Sequence, residues 1–408
     1  MSDNTKDEII ETTMPLEKFL STAFLVPMGA PTDEDCIWGL PVCLHGSPGI
    51  GKTARVRQAS AAVGLPSKTV NLGGRQPEDA SGAPFVTKNA NGQDVIVIAC
   101  ILGAVNDLNA HGSGVLFFDE LTCARPATQG AFLSAMDERR VGDVQFKPRV
   151  RVVAAGNPPE EAAGGFMLQP PMANRFAHRD VAVPDLAGFT SYLLQGPQKN
   201  VDSIENGESR VSEEWSEHYP IVAGLAAGFV ERFRKIYDMP RQGHKNRGKA
   251  FLTPRSLEYA IRAVTTCRIL GHDYNDQLEL FAACTGPGPA IKWDAWVKEA
   301  NLPHPMEVLK NGWKPDTTRL DRTMAVYSGL AAYVLNKADK KERAKLAILA
   351  WNRLEDLIKY NLPDLALPPA KSLVNGGFGT KAGPEMEKAV RPILLYLGKK
   401  GFQDFLVA

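Results

Sequence analysis

Residues 46–53 read Gly-Ser-Pro-Gly-Ile-Gly-Lys-Thr and directly follow a short apolar run, Leu40-Pro-Val-Cys-Leu44. This G-x-x-x-x-G-K-[ST] pattern constrains the fold because it works only between a strand and a helix. Gly46, Gly49 and Gly51 let successive backbone N–H groups turn inward around a phosphate, and Lys52 supplies a point charge to the β/γ oxygens. Thr53 places a hydroxyl on Mg²⁺. The helix opening at Lys52 aims its positive dipole end at the same phosphates, and Ala54 through Ala62 contain no Gly or Pro to interrupt it. The expected nucleotide-contacting set is therefore Gly46, Ser47, Pro48, Gly49, Ile50, Gly51, Lys52, Thr53 and Ala54. A Gly-rich turn without a ligand is the competing reading, and the strand-loop-helix context weighs against it.

If the site hydrolyses nucleotide, a second element should follow downstream. Gly114-Val-Leu-Phe-Phe-Asp-Glu-Leu121 is a continuous apolar run ending in two carboxylates, the pattern of a buried parallel strand whose C-terminal end reaches a ligand crevice. Asp119 is expected to hold Mg²⁺. Glu120 is expected to orient and deprotonate the attacking water, a role that serves hydrolysis rather than binding. Alone, an Asp-Glu pair after a strand reads equally well as a helix N-cap. A third strand, Val150–Gly156, ends in Asn157-Pro158, where Asn157 would position that water or simply open a turn. A further strand, His178–Val183, follows Asn174-Arg175-Phe176, and Arg175 is the guanidinium expected to reach a nucleotide in a neighbouring subunit.

These residues also carry a family resemblance. The run Phe118-Asp-Glu-Leu-Thr-Cys-Ala-Arg-Pro-Ala-Thr-Gln-Gly-Ala-Phe-Leu-Ser-Ala-Met-Asp-Glu-Arg-Arg-Val141 resembles the Walker B region of MoxR-type AAA+ ATPases of the helix-2-insert clade. Ala-Gly-Asn157-Pro resembles their sensor-1 motif. Asn174-Arg175-Phe176 is similar to their Asp-Arg-Phe, in which the Arg is the arginine finger; Asn stands here in place of Asp. Leu252-Thr-Pro-Arg255-Ser resembles the sensor-2 segment, which makes Arg255 a further catalytic candidate, and Glu78-Asp79-Ala-Ser-Gly82 matches the segment leading into the helix-2 insert. The resemblance spans roughly residues 20–270.

The resemblance implies ATP and Mg²⁺ as cofactors and a ring, usually a hexamer, with each nucleotide between subunits. Hydrolysis in such rings moves loops that grip another protein, in many relatives a separate partner bearing a von Willebrand factor A domain. Here those loops would be Pro84–Asp94, with Lys88-Asn-Ala-Asn-Gly-Gln93 as its turn, and Val141–Pro148, with Gly142-Asp143 as its turn; both read equally as surface hairpins.

The expected fold is α/β, a P-loop AAA+ core with a parallel sheet, followed by an α-helical lid and an α-helical C-terminal region. The boundaries read as a flexible N-terminus over 1–14, the core over 15–188, a polar linker over 189–218, the lid over 219–285 and a helical C-terminal domain over 286–408. Leu16–Phe24 has the pattern of an amphipathic helix, and the Pro-rich stretches Leu302–Pro305 and Leu362–Pro369 frame the helical part of the C-terminal domain.

Basic and acidic residues nearly balance at a net charge of +1, which makes no global electrostatic case for nucleic acid. A nucleic-acid motor or loader is the alternative function. Against it, the two hairpins contribute only Lys88 and Lys147 against Asp94 and Asp143. A slow nucleotide-gated scaffold is a third reading, opposed by the intact set Lys52, Asp119, Glu120, Asn157 and Arg175. Six cysteines without a C-x-x-C pair or a His at zinc spacing read as reduced thiols, and the polar N-terminus with no membrane-length apolar run reads as cytoplasmic. The basic loop Arg241–Lys249 reads as solvated rather than as a phosphate site.

Overall fold

The computed structural model describes residues 13–81, 83–99, 103–158, 161, 165–183, 190, 194, 203–234, 237–239 and 248–399. Two compact units are formed, Met1–Val211 with Tyr237–Ala290, and Ser212–Ile236 with Ile291–Ala408.

The first unit is built on a five-stranded sheet. In chain order its strands are β1 (Val42–His45), β2 (Ser67–Asn71), β5 (Ser113–Asp119), β8 (Arg149–Gly156) and β9 (Ala177–Asp180), and their spatial order is β2-β5-β8-β1-β9. Every pairing in it is parallel. Parallel strands need crossovers, and these cover the faces, which is why β5 and β8 are apolar almost throughout. Phe117, Phe118, Val152 and Val153 are buried, and Phe118 meets Phe132 edge-on at 5.5 Å between ring centroids.

Two antiparallel hairpins leave this core. β3 (Ala83–Lys88) pairs with β4 (Asp94–Ala99), and β6 (Arg140–Val141) pairs with β7 (Val144–Gln145). In the second, Gly142 at φ 57° supplies the left-handed turn residue that a two-residue loop requires. Both hairpins lie where the turn signals place them.

Helix Pro254–Ile269 opens with a capping box in which Thr253 and Ser256 satisfy each other's backbone N–H groups. Helix Tyr274–Thr285 is capped by Asp273 and stops at Gly286, at φ 89°.

The expected linker over 189–218 is corrected in its described part. From Ile204 to Phe233 the chain is one helix. Ile204, Val211 and Trp215 are buried at spacings of seven and four, a helical stripe that polar composition obscured. Glu208 is buried as well and pairs with Arg151 of β8, which also donates to the Phe24 carbonyl at 3.2 Å. Arg149 joins Glu208 at 3.1 Å. Burial lowers the Arg151 guanidinium pKa from its usual range, against the pull of Glu208. The start of the expected lid, from Tyr219 to Phe233, is thus the continuation of this helix and belongs to the second unit.

The described elements of that unit are helices: Pro305–Asn311, Leu320–Asn336, Lys340–Lys359, Pro363–Asn375 and Pro384–Lys399 follow Pro287–Ala300. Its core gathers Tyr327, Trp351, Leu354 and Leu373, and the Trp351 indole donates to the Phe378 carbonyl at 2.9 Å. The Pro-rich run Leu362–Pro369 forms helix rather than a frame around it. Pro363 takes the first helical position, and Pro368 and Pro369 follow before the helix ends at Asn375. Two glycines on Ile204–Phe233 allow close crossing: a Cβ on Gly228 would lie 2.4 Å from Trp296 and 2.6 Å from the Asp321 carbonyl, and one on Gly224 would lie 2.6 Å from the Ala325 carbonyl.

Two stability predictions follow from these contacts. Glu208→Ala strands the Arg151 guanidinium and costs on the order of 3–5 kcal/mol, read as a lower urea midpoint, whereas exposed Lys298→Ala stays within about 0.5 kcal/mol. Gly228→Ala, which on an open helix would stabilise, destabilises here by roughly 1–3 kcal/mol because the new methyl meets backbone.

Candidate functional site

Because all five strands run the same way, their C-terminal ends share one edge of the sheet. β1 delivers Gly46–Thr53 to that edge, β5 delivers Asp119 and Glu120, and β8 delivers Asn157. Gly49 and Gly51 have φ of 83° and 88°, and a Cβ at either would meet nothing within 4 Å, so the loop is open where a ligand would lie against it.

Lys52 is 7% exposed. Its ammonium donates to the Gly46 carbonyl at 2.6 Å, the Ser47 carbonyl at 2.9 Å and Asn157 Oδ1 at 2.8 Å. All three acceptors are neutral, so among the described residues no carboxylate is hydrogen-bonded to the ammonium. Burial lowers its pKa, opposed by Asp119 and Glu161. Thr53 Oγ1 donates to Asp119 Oδ2 at 2.6 Å, which sets a hydroxyl and a carboxylate side by side. An open glycine cradle, an ammonium held by neutral acceptors and a paired oxygen donor set fit a nucleotide phosphate with Mg²⁺.

Glu120 adopts a left-handed backbone, φ 57° and ψ 36°, rare for a residue with a side chain. Its N–H donates to Asp119 Oδ1 at 2.9 Å. Its carboxylate rests against the turn after β2, so close that a Cβ on Gly73 would lie 2.6 Å from Oε2; the Gly73 N–H donates to Asn71 Oδ1 at 2.8 Å. Asn71 and Gly73 carried no sequence signal as site neighbours, since nothing local in a strand end predicts which side chain lies across from it. Thr122 is another such neighbour and donates to the Asn157 backbone carbonyl at 2.9 Å.

The structure does not bring Arg175 or Arg255 to this edge. Arg175 precedes β9 and so lies at the sheet's opposite edge, where Nε donates to Asp137 Oδ1 at 2.6 Å and Nη2 joins the same carboxylate. Arg255 approaches Asp137 Oδ1 at 3.5 Å. Residues 241–247 of the basic Arg241–Lys249 loop lie outside the described residues; Lys249 pairs with Asp180 at 2.7 Å.

Beneath the loop, a histidine pair crosses from β1 to β9. His45 Nε2 and His178 Nδ1 are 2.7 Å apart, and His178 Nε2 is 2.8 Å from the Ala173 carbonyl. A carbonyl only accepts, so His178 carries its proton on Nε2 and His45 donates to Nδ1. Cys43 completes a group within 4.8 Å that spacing along the chain did not reveal, because β9 supplies one member. Burial drives the His178 pKa down to about 4, opposed by the hydrogen bond to the Ala173 carbonyl and by Asp180 and aided by Lys249, and burial, with His178, Lys249 and Lys52, holds His45 well below the usual histidine range.

The pair is therefore neutral in the fold, whereas an unfolded histidine gains a proton below about 6.5. Stability is fully present above that pH and is lost as pH falls toward 4. Between pH 7.5 and 5 the loss through His178 is on the order of 2 kcal/mol. Thermal unfolding of the wild type across this range should show it, and His178→Asn should flatten the slope while lowering the midpoint at pH 7.5.

Comparison with known proteins adds a family to this geometry. No curated protein sequence matches the chain. A solved structure from Cytophaga hutchinsonii described as a "putative ATPase" is similar at 15% identity and a TM-score of 0.38, covering 65% of this chain and 79% of that one. Residues 41–176 match the family model described as AAA domain (dynein-related subfamily), a span that runs from the start of β1 through the loop, both carboxylates, Asn157 and Arg175. Over those residues, the chain carries an AAA domain with an all-parallel core sheet.

Proposed function

We propose that this protein is an ATP-hydrolysing ring ATPase of the MoxR type, working in the cytoplasm, which remodels or activates a separate partner protein. The observation that carries the reading is the convergence of Lys52, Thr53, Asp119 and Asn157 on one sheet edge, while Arg175 stands at the other. A chain so arranged cannot complete its own site. The four residues of β9 in register with β1 put roughly 13 Å of strand between Arg175 and the loop. A second copy supplies the missing guanidinium, which makes assembly part of catalysis; a hexamer is the assembly that the MoxR resemblance favours.

In this reading Gly46–Ala54 cradle the phosphates and Lys52 neutralises the β/γ oxygens. Thr53 and Asp119 hold Mg²⁺, which supplies charge stabilisation to the phosphoryl group when bound. Glu120 swings from its rest against Gly73 to accept the proton of the attacking water, and Asn157, braced by Thr122 and Lys52, holds that water in line. Arg175 of the adjoining copy neutralises the charge that develops.

The hairpin β3–β4 supports a protein client over nucleic acid. Phe85, Val86 and Ile96 are 54%, 71% and 72% exposed, and Lys88 faces Asp94 across the ladder. Apolar side chains grip polypeptide, whereas a nucleic-acid channel calls for a basic lining. A partner bearing a von Willebrand factor A domain is the client that the resemblance favours. Nor is a helix long and apolar enough to cross a membrane found among the described residues.

Steady-state ATP hydrolysis tests the chemistry. Lys52→Ala should lose nucleotide binding, and Glu120→Gln should bind ATP but turn over roughly 10²–10⁴-fold more slowly. Glu120→Gln with ATP, against an ADP control, should capture one client protein from native cells. Capture of nuclease-sensitive nucleic acid in its place would sink the remodelling reading, and wild-type turnover by Lys52→Ala would sink the site itself.

A further inference from the structure

Beneath the phosphate loop, β1 and β9 bring three metal-ligating side chains to one face of the sheet. Side chains two residues apart on a strand share a face, so Cys43 and His45 point the same way. In the parallel register Cys43 lies beside His178, which adds a third member from the outer strand. The Cys43 sulfur and one ring nitrogen from each histidine lie within 4.8 Å of one another. The nucleotide chemistry uses none of the three.

Each member is prepared for ligation. Cys43 is a free, fully buried thiol. His178 gives its Nε2–H to the Ala173 carbonyl at 2.8 Å, which leaves the Nδ1 lone pair directed at His45. A backbone carbonyl on the remote ring nitrogen is a common partner of a metal-bound histidine, because it fixes both tautomer and ring orientation. His45 Nε2 stands 2.7 Å from that lone pair, and the two ring planes lie within 13° of each other. Zinc bonds at about 2.0–2.1 Å to nitrogen and about 2.3 Å to sulfur, so tetrahedral geometry parts two ligating nitrogens to roughly 3.3 Å. Small ring rotations supply the difference.

One sulfur and two imidazoles select a thiophilic cation, whereas Mg²⁺ prefers oxygen donors such as Thr53 and Asp119. The two kinds of ion therefore sort to different places. The nearby cation Lys249 is paired with Asp180 at 2.7 Å, which moderates its repulsion.

We infer that Cys43, His45 and His178 form a binding site for a thiophilic divalent cation of the Zn²⁺ class, which staples β1 to β9 under the phosphate loop. Three protein ligands leave a fourth position for a solvent oxygen. His45 directly precedes Gly46, whose carbonyl accepts from Lys52 at 2.6 Å, so the staple holds the strand end that carries the loop. On binding, the Cys43 S–H bond breaks, a sulfur–zinc bond forms and the proton passes to solvent. His45 shifts its ring proton from Nε2 to Nδ1, which frees the Nε2 pair, and His178 keeps its proton on Nε2. Burial raises the thiol pKa, so in the metal-free chain the proton is there to be released. The pH dependence of stability derived above is that of the chain stripped of metal. The inference stands apart from the nucleotide reading and holds whether or not the loop binds ATP.

Metal titration of the full chain tests it. The protein is stripped with a chelator, kept reduced and free of nucleotide, and titrated with Zn²⁺ against a chromophoric competitor in Mg²⁺ buffer. Uptake of one zinc per chain, release of one proton per zinc and a raised thermal midpoint are the expected results. Co²⁺ in place of Zn²⁺ should give a near-ultraviolet thiolate-to-cobalt charge-transfer band. Cys43→Ser should abolish that band. Cys43→Ser and His178→Asn should each weaken Zn²⁺ binding by at least about 100-fold, more than loss of an outer partner causes. Cys123→Ser, which removes a thiol outside the group, should change neither readout. Helical content is checked for each variant, and His45→Asn replaces Cys43→Ser if the latter does not fold. Zinc uptake that survives these substitutions, uptake without the charge-transfer band, or no stoichiometric uptake would each overturn the site and leave the nucleotide reading standing.

Discussion

A parallel sheet has two chemically different edges, and every functional feature of this chain follows from that. Strand C-termini collect on one edge, where the loops after β1, β5 and β8 bring a glycine cradle, a lysine, a hydroxyl, two carboxylates and an amide together. Strand N-termini collect on the other, where Arg175, Asp137 and Arg255 meet. The backbone hydrogen bonds of the ladder fix the distance between the edges. Val42 through His45 pair residue by residue with Ala177 through Asp180, so no side-chain rotation closes the gap.

Charge is treated differently at the two edges and in the core, and the difference separates function from architecture. Arg151 is buried and compensated by Glu208, an arrangement that holds the segment around Glu208 against β8. Lys52 is buried too, though less deeply, yet its acceptors are two carbonyls and an amide. A buried ammonium held only by neutral acceptors costs stability that a bound anion would offset. The histidine pair below stays neutral chiefly because it is buried, with Lys249 adding to the cost of a proton at either ring.

What the sequence made legible was what is local along the chain. The phosphate loop, the carboxylates ending β5, the asparagine after β8 and both hairpin turns are each written in fewer than ten consecutive residues. Parallel topology was legible because the run that forms β5 is apolar without alternation and because strand runs alternate with helical ones. What escaped was assembled from distant segments or hidden by composition. Polar residues over 204–218 suggested a linker because Glu208 looks solvated until Arg151 is seen beside it. The Pro-rich run at 362–369 suggested a break, although its first proline sits at a helix start and needs no N–H there. Asp137 sits inside a motif that drew notice for its neighbours, and nothing in spacing links it to Arg175, 38 residues on. Gly73 and His178 matter only through strands that lie beside them in space.

Asn174 illustrates how one atom decides a connection. The resembled family carries Asp at this position. A carboxylate would accept from Thr253 but would face the Phe251 carbonyl oxygen with a second acceptor, and the two would repel. An amide offers one acceptor and one donor, and here Oδ1 takes the Thr253 hydroxyl while Nδ2 reaches Phe251. Thr253 is also the residue that caps helix Pro254–Ile269 through its bond with the Ser256 N–H. The hydroxyl therefore accepts from the helix and donates to Asn174, which joins the start of that helix to the residue before Arg175 through a single oxygen. Arg255, on the same helix, also comes within 3.5 Å of the Asp137 carboxylate that binds Arg175, so the helix start and the segment before β9 meet at two polar contacts.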